Sequence, residues 1–205
     1  MFDIRLAKDY LMYRLKAKTR HGLHSPFVYR LVDKVIYDFD AKKVYPEVEK
    51  NRKRLNAAER NAAISPKIAQ LVYRLVADWH PGNIVEMGTR VGNITIYLQK
   101  AAPDTKVYSV KNKAQFLSVA ENLDQLDCVF IKEGQSILED FESCLPKVHN
   151  GTLLIVDGIY RSEDMKEAWT QIKAHPQVTI TVDLFWIGLV YFRKGQVKED
   201  FMIKI

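Results

Sequence analysis

The stretch Asn83-Ile84-Val85-Glu86-Met87-Gly88-Thr89-Arg90-Val91-Gly92-Asn93 limits this chain more than any other. A short apolar run leads into an acid, then two glycines four apart, then the helical pattern Ile94-Thr95-Ile96-Tyr97-Leu98. That order reads as a buried strand, a tight turn and the start of a helix. Gly88 and Gly92 allow the backbone to turn sharply and to approach a ligand, and the helix behind them offers free N–H groups. In an open α/β sheet, ligands sit at the carboxyl ends of strands in this position. The dinucleotide fingerprint is excluded, because Thr89 and Arg90 follow Gly88 where that motif needs a middle glycine.

Around this centre the chain divides in two. Residues 1–62 read as a helical extension. Leu6, Tyr10, Leu11, Tyr13 and Leu15 give an amphipathic helix over 4–19, ending near His21-Gly22. Ser25-Pro26 opens a second helix running to about Asp38, by a capping hydroxyl and a proline in the first turn. A polar, exposed helix is expected over 46–60, and Ala57–Ile64 as a mobile link. Residues 63–205 read as an α/β domain. Ser65-Pro66 starts a helix with the stripe Ile68, Leu71, Val72, Leu75 and Val76. After the glycine turn come strands at Lys106–Val110, Leu126–Ile131 and Thr152–Val156, with helices between them. Val178–Leu184 and Gly188–Phe192 close as an antiparallel hairpin. Strand–helix alternation gives a Rossmann-like, mostly parallel sheet with right-handed crossovers, and six candidate strands.

Charge is unevenly spread. Residues 1–60 hold 15 Lys and Arg against 8 Asp and Glu, a net of +7, whereas residues 61–205 hold 16 against 17. Such an excess suits an acidic or nucleic-acid partner. The basic residues alternate with acids, however, and lack the aromatic interleaving of a stacking surface, so a solvated helical face is favoured. No apolar run reaches a membrane span and no signal-peptide core opens the chain, so no membrane partner and a cytoplasmic location are expected. Cys128 and Cys144 sit in apolar or helical patterns outside any CxxC and read as reduced core residues. His21 and His24 lack a third ligand nearby, so no metal is expected.

The strand–turn–helix with an acid two residues before its first glycine, together with the closing hairpin, resembles the class I S-adenosylmethionine-dependent methyltransferases. His24-Ser25-Pro26-Phe27-Val28-Tyr29, Val85-Glu86-Met87-Gly88-Thr89, Asp164-Met165-Lys166-Glu167-Ala168-Trp169, Val182-Asp183-Leu184-Phe185 and Gly188-Leu189-Val190-Tyr191-Phe192 look like a mostly uncharacterised bacterial subgroup with a helical N-terminal extension. The resemblance implies methyl transfer to a small-molecule acceptor. It also implies that Glu86, Met87, Gly88, Thr89, Arg90, Val91 and Gly92 surround the methionine part of the cofactor.

The same resemblance exposes departures. Where the family carries an acid for both ribose hydroxyls, this chain has Lys111-Asn112; Lys111 is a donor only, and Asn112 could accept one bond. Six strands against the family's order 3-2-1-4-5-7-6 imply that the third is missing between Leu123 and Leu126. A rival register makes Val129–Ile131 that third strand, with Gly134-Gln135 near the adenine. On the acceptor side Lys132 and Gln135 replace an acid and a histidine. That leaves Asp157, with Tyr160 beside it, as the candidate catalytic pair. Two other readings follow: a methyltransferase fold that has lost its cofactor and serves as a binding or scaffold protein, and an anion or nucleic-acid binder using the basic N-terminal helices. Apolar faces on those helices could also support a homodimer.

Overall fold

A computed structural model describes residues 4–53, 55–88, 93–132 and 137–205. The chain begins with helix α1 (Ile4–Lys16) and a short 3-10 turn at Arg20–Gly22. Ser25 Oγ then accepts from Val28 N and Pro26 occupies the first turn, starting α2 (Pro26–Leu31). Helix α2 does not run on regularly to Asp38. It widens into a π-helical turn at Val32–Ile36. Arg74 caps that turn, its guanidinium donating to the carbonyls of Val35 at 2.9 Å and Ile36 at 3.3 Å.

Two expectations for the next segment fail. The polar helix is α3 (Val44–Arg52), shorter than 46–60, and it buries Tyr45 and Val48. The expected mobile link contains α4 (Ala57–Ala62). Asn56 Oδ1 accepts from Glu59 N at 2.9 Å, and Glu59 Oε2 accepts from Asn56 N at 3.0 Å. This reciprocal capping box satisfies two backbone donors and fixes the helix start.

Helix α5 (Pro66–Trp79) buries its predicted stripe and stops at His80, which takes the left-handed conformation (φ 50°). The remaining elements are β1 (Asn83–Met87), α6 (Asn93–Ala101), β2 (Lys106–Val110), α7 (Lys113–Glu121), β3 (Leu126–Ile131), α8 (Ile137–Cys144), β4 (Val148–Asp157), α9 (Glu163–Ala174), β5 (Ile180–Asp183), β6 (Ile187–Tyr191) and β7 (Glu199–Met202).

These strands make one sheet of seven in the order β2-β1-β3-β4-β6-β5-β7. The expectation of six strands is thus corrected by β7, which follows the hairpin and pairs parallel to β5. Strand β2 forms the opposite edge. Strand β3 lies between β1 and β4, paired parallel to both, which rules out the register that put Val129–Ile131 at the sheet edge. β1 to β4 are parallel, and β6 runs antiparallel to both β4 and β5.

The period-2 alternation of the strands divides the core in two. Ile84, Cys128, Phe130, Leu153 and Ile155 face helices α2, α3, α5 and α6. Val85, Met87, Val129, Ile131, Leu154 and Val156 face α7, α8 and α9. The N-terminal helices therefore share one hydrophobic core with the sheet. Both cysteines are free and buried, and burial pushes their thiols up, Cys128 to about 12.

One contact between β6 and α9 leaves no slack. A Cβ on Gly188 would stand 2.5 Å from the buried Trp169 ring. Gly188→Ala should therefore destabilise the protein by about 1–3 kcal/mol through overpacking. Chemical denaturation reads this directly, and Trp169→Phe in the same chain should recover part of the loss. A Gly188→Ala variant as stable as the parent would show that the ring moves aside without cost.

Candidate active site

The carboxyl ends of β1, β3 and β4 lie side by side, with Gly88 following β1, Lys132 following β3 and Asp157 ending β4; Lys132 and Asp157 line one cavity. Gly88 takes φ +78°, and its N–H donates to Val110 O at 2.9 Å. Lys132 N–H in turn donates to Met87 O at 3.0 Å. The end of β1 is thereby fastened to both neighbouring strands. A Cβ at Gly88 would meet Lys132 only at 3.7 Å, so the backbone angle and not crowding demands glycine here. Gly88 is exposed and Met87 is buried.

Glu86 is fully buried. Thr95 Oγ1 lies 3.0 Å from its Oε1 and 2.7 Å from its Oε2, and Ser109 Oγ donates to Oε2 at 2.7 Å. The carboxylate thus ties β1 to α6 and β2 and stiffens the base of the glycine turn. Thr89, Arg90, Val91 and Gly92 lie outside the described residues, as do Gly134 and Gln135.

At the end of β2, Lys111 and Asn112 are exposed. Lys111 N–H donates to Gln115 Oε1 at 2.8 Å. Asn112 Oδ1 accepts from Gln115 N at 3.0 Å and caps α7, so that carbonyl already holds a helix.

Asn93 ends the sequence stretch built around Gly88 and is the first residue of α6. It is 5% exposed and its Nδ2 donates to Ile64 O at 3.0 Å. Its Oδ1 has no hydrogen-bond partner among the described residues. A buried acceptor left without any donor would cost about 1–3 kcal/mol.

At the ends of β3 and β4 opens a cavity of about 270 Å³. Its walls are apolar and aromatic, from Leu6, Ile64, Ile68, Phe185 and Trp186, and Lys132, Asp157 and Arg161 also line it. Asp157 is 7% exposed. Tyr160 presents its ring, stacked on Phe185 with centroids 4.8 Å apart and planes 12° apart. Its hydroxyl donates to Asp183 Oδ2 at 2.8 Å. Burial, and then the nearby Asp183 charge, push the Tyr160 hydroxyl far above its ordinary pKa, so it remains a donor. Of the two candidate catalytic residues, Asp157 therefore brings a carboxylate to the cavity and Tyr160 brings a wall.

Asp183 organises this wall. Its Oδ2 also accepts from Trp169 Nε1 at 3.2 Å, and its Oδ1 accepts from Phe185 N at 2.9 Å. Phe185 is buried in the left-handed conformation (φ 67°), a strained state for a bulky residue. Burial raises the Asp183 carboxyl, while the three donors pull it down. From α1, Leu6 enters the cavity, and the Arg5 guanidinium donates to Tyr160 O at 3.1 Å and Arg161 O at 2.7 Å. Among the described residues no group of three or more His, Cys, Asp or Glu could hold a metal ion, and no helix is long and apolar enough to cross a membrane.

No family model and no curated protein matches the sequence. Solved structures do match. The O-methyltransferase from Bacillus cereus, in complex with SAH, is 19% identical over 80% of this chain and 96% of its own, with a TM-score of 0.53. The O-methyltransferase TomG from Streptomyces achromogenes, in complex with SAM, is 16% identical over 81% and 95%, with a TM-score of 0.55. The SAH-bound methyltransferase PaMTH1 from Podospora anserina is 10% identical over 84% and 98%, with a TM-score of 0.60. The chain has the Rossmann-like class I methyltransferase fold.

Proposed function

We propose that the protein is an S-adenosylmethionine-dependent methyltransferase acting on a small-molecule acceptor. The observation that carries this reading is the partly open, mainly apolar-walled cavity that Lys132 and Asp157 line, with the exposed, positive-φ Gly88 next to Lys132, at the strand ends of a methyltransferase fold. At the methionine end the residues present suit the cofactor: Gly88 leaves the backbone open to close approach, and the buried Asn93 Oδ1, without a partner among the described residues, is an acceptor for an ammonium donor such as the methionine amino group. At the ribose position Lys111 is a donor only and Asn112 Oδ1 already caps α7. When bound, S-adenosylmethionine supplies an activated methyl group.

Each of the chain's own residues has a part in this scheme. Glu86 holds β1, α6 and β2 in register beneath the turn. Asp157 orients the acceptor and receives its proton as the acceptor oxygen loses it. The Tyr160–Phe185 stack and Trp186 exclude water and hold the acceptor flat. Most of the acceleration comes from proximity and alignment, since direct displacement needs little else. Residues 63–205 carry the cofactor, and the 1–62 extension closes the acceptor side through Leu6 and Arg5.

Calorimetric titration with S-adenosylmethionine and S-adenosylhomocysteine at low salt tests the reading. Micromolar binding is expected. Asn93→Ala should weaken it by about 10- to 100-fold, the loss of one hydrogen bond to a charged group. No heat at millimolar ligand would retire the enzyme reading.

A further inference from the structure

Helix α1 is apolar on two faces. Leu6 and Tyr13, with Ala17 just beyond the helix, pack inward against Phe185 and Tyr160. Ile4, Leu11 and Leu15 share the reverse face at helical spacing and are 78%, 61% and 72% exposed, and Met12 at its edge is also exposed. Scattered exposed apolar residues are ordinary, but a row of them along one helix face marks a contact surface.

The charges on that face have one sign. Lys8 stands within the row, Arg14 and Lys16 flank it on either side, and Lys18 follows the helix end; all four are exposed. Asp9 is the one acid of α1, and it lies on the inner side, held by Arg5 at 3.4 Å and Lys166 at 2.8 Å. Helix α9 meets α1 on that side, about a quarter turn from the row. Its exposed acids Glu163, Asp164 and Glu167 are partly offset there, with Arg5 3.6 Å and Lys166 4.0 Å from Glu163. A second copy seated on the row would bury Lys8 and bring cations against cations. A phosphate backbone alone would leave the apolar side chains in water. An anionic lipid surface takes both features at once: Ile4, Leu11 and Leu15 enter the boundary below the headgroups, and Lys8, Arg14 and Lys16 reach back to the phosphates.

We propose that the outer face of α1 docks on an anionic membrane surface, with the helix lying in the plane of the headgroups. Among the described residues no helix is long and apolar enough to cross a membrane, and this mode of binding needs none. Residues 1–60, with 15 Lys and Arg against 8 Asp and Glu, carry the sign of charge that such a surface attracts. The inner face of α1 stays on the protein. Leu6 keeps its place in the cavity wall and Arg5 its bonds to the carbonyls of Tyr160 and Arg161, so the acceptor cavity lies directly behind the membrane-bound helix. The docking face excludes the proposed cofactor site, and its test needs no cofactor.

Flotation of the full chain with lipid vesicles is the test. Vesicles of phosphatidylglycerol and phosphatidylcholine in equal parts should bind the protein at about 0.1 M salt and release most of it at about 0.5 M. Vesicles of phosphatidylcholine alone should bind at least about tenfold less. Leu11→Gln with Leu15→Gln should weaken binding to the anionic vesicles at least about tenfold. Circular dichroism and melting should not change, since both side chains are exposed. Lys8→Gln and Lys16→Gln should each weaken binding about fivefold. Binding indifferent to the leucine changes would overturn the proposal, because charge elsewhere on the extension would then suffice. So would equal binding to both kinds of vesicle, or none to either. Sedimentation velocity without lipid supplies one more contrary outcome: a dimer that the leucine changes dissolve would show that a second copy occupies the face.

Discussion

Replacing Asp183 with Ala is expected to cost about 3–5 kcal/mol of stability, more than any other single change near the cavity. Asp183 is 2% exposed and receives three hydrogen bonds, from the Tyr160 hydroxyl, the Trp169 indole and the Phe185 backbone. Removing the acceptor strands three donors, each costing about 1–3 kcal/mol if left dry. Against that stands relief from burying the carboxylate, which is why its pKa is raised. The net stays large because the donors outnumber the charge they solvate. Phe185 adds to the loss, because its strained backbone (φ 67°) is held in part by the Asp183 bond. Tyr160→Phe removes one donor and leaves the acceptor two others, so it should cost only about 1 kcal/mol. Asp183→Asn should fall between, since its amide nitrogen must face donors where an oxygen stood. Urea unfolding of the three variants gives the order. An Asp183→Ala chain within about 1 kcal/mol of the parent would show that the donors find water.

That network shows where sequence reading stops. The β1 run, Gly88 and the α5 stripe are legible because strand, turn and helix each leave a local period or a glycine. The hairpin was legible for the same reason. Strand β7 was not: Glu199 and Asp200 are exposed, and the strand is held mainly through its backbone, to β5 and, beyond Met202, to the segment after α1. Edge strands of this kind carry polar residues by need and lose the apolar signal. Helix α4 did leave a trace, since Asn56 and Glu59 have capping-box spacing, but no apolar stripe followed to raise it above a link. The role of Asp183 left none. Its side-chain partners are 23 and 14 residues away, and only the folded sheet brings them together. Arg5 reaches across 155 residues to Tyr160 O, so the closure of the cavity by α1 could not be read from spacing at all. Sequence reading saw the apolar residues of α1 as one face, and the structure separates them into two.

Gly88→Val should abolish cofactor binding while leaving a folded protein, a result that separates the turn's function from its role in the fold. The φ of +78° at Gly88 is open to glycine and costs a β-branched residue about 1–2 kcal/mol. A domain with two continuous core layers absorbs that, so the melting temperature should drop by only a few degrees. Binding has no such reserve. The backbone at Gly88 is exposed beside Lys132, and a branched side chain there occupies the surface that the proposed site offers to the cofactor. A loss of at least about 100-fold in S-adenosylhomocysteine affinity follows from the lost contact and the tilted peptide together. Gly88→Ala tests the two causes apart. It carries most of the backbone strain and little of the bulk, and a Cβ there would meet its nearest neighbour at 3.7 Å. If Ala binds nearly as well as Gly and Val does not, bulk at the crevice is what matters. If both fail equally, the peptide orientation set by the positive φ does the work. Val binding as tightly as the parent would remove Gly88 from the site, and with it the strongest structural support for a cofactor at the end of β1.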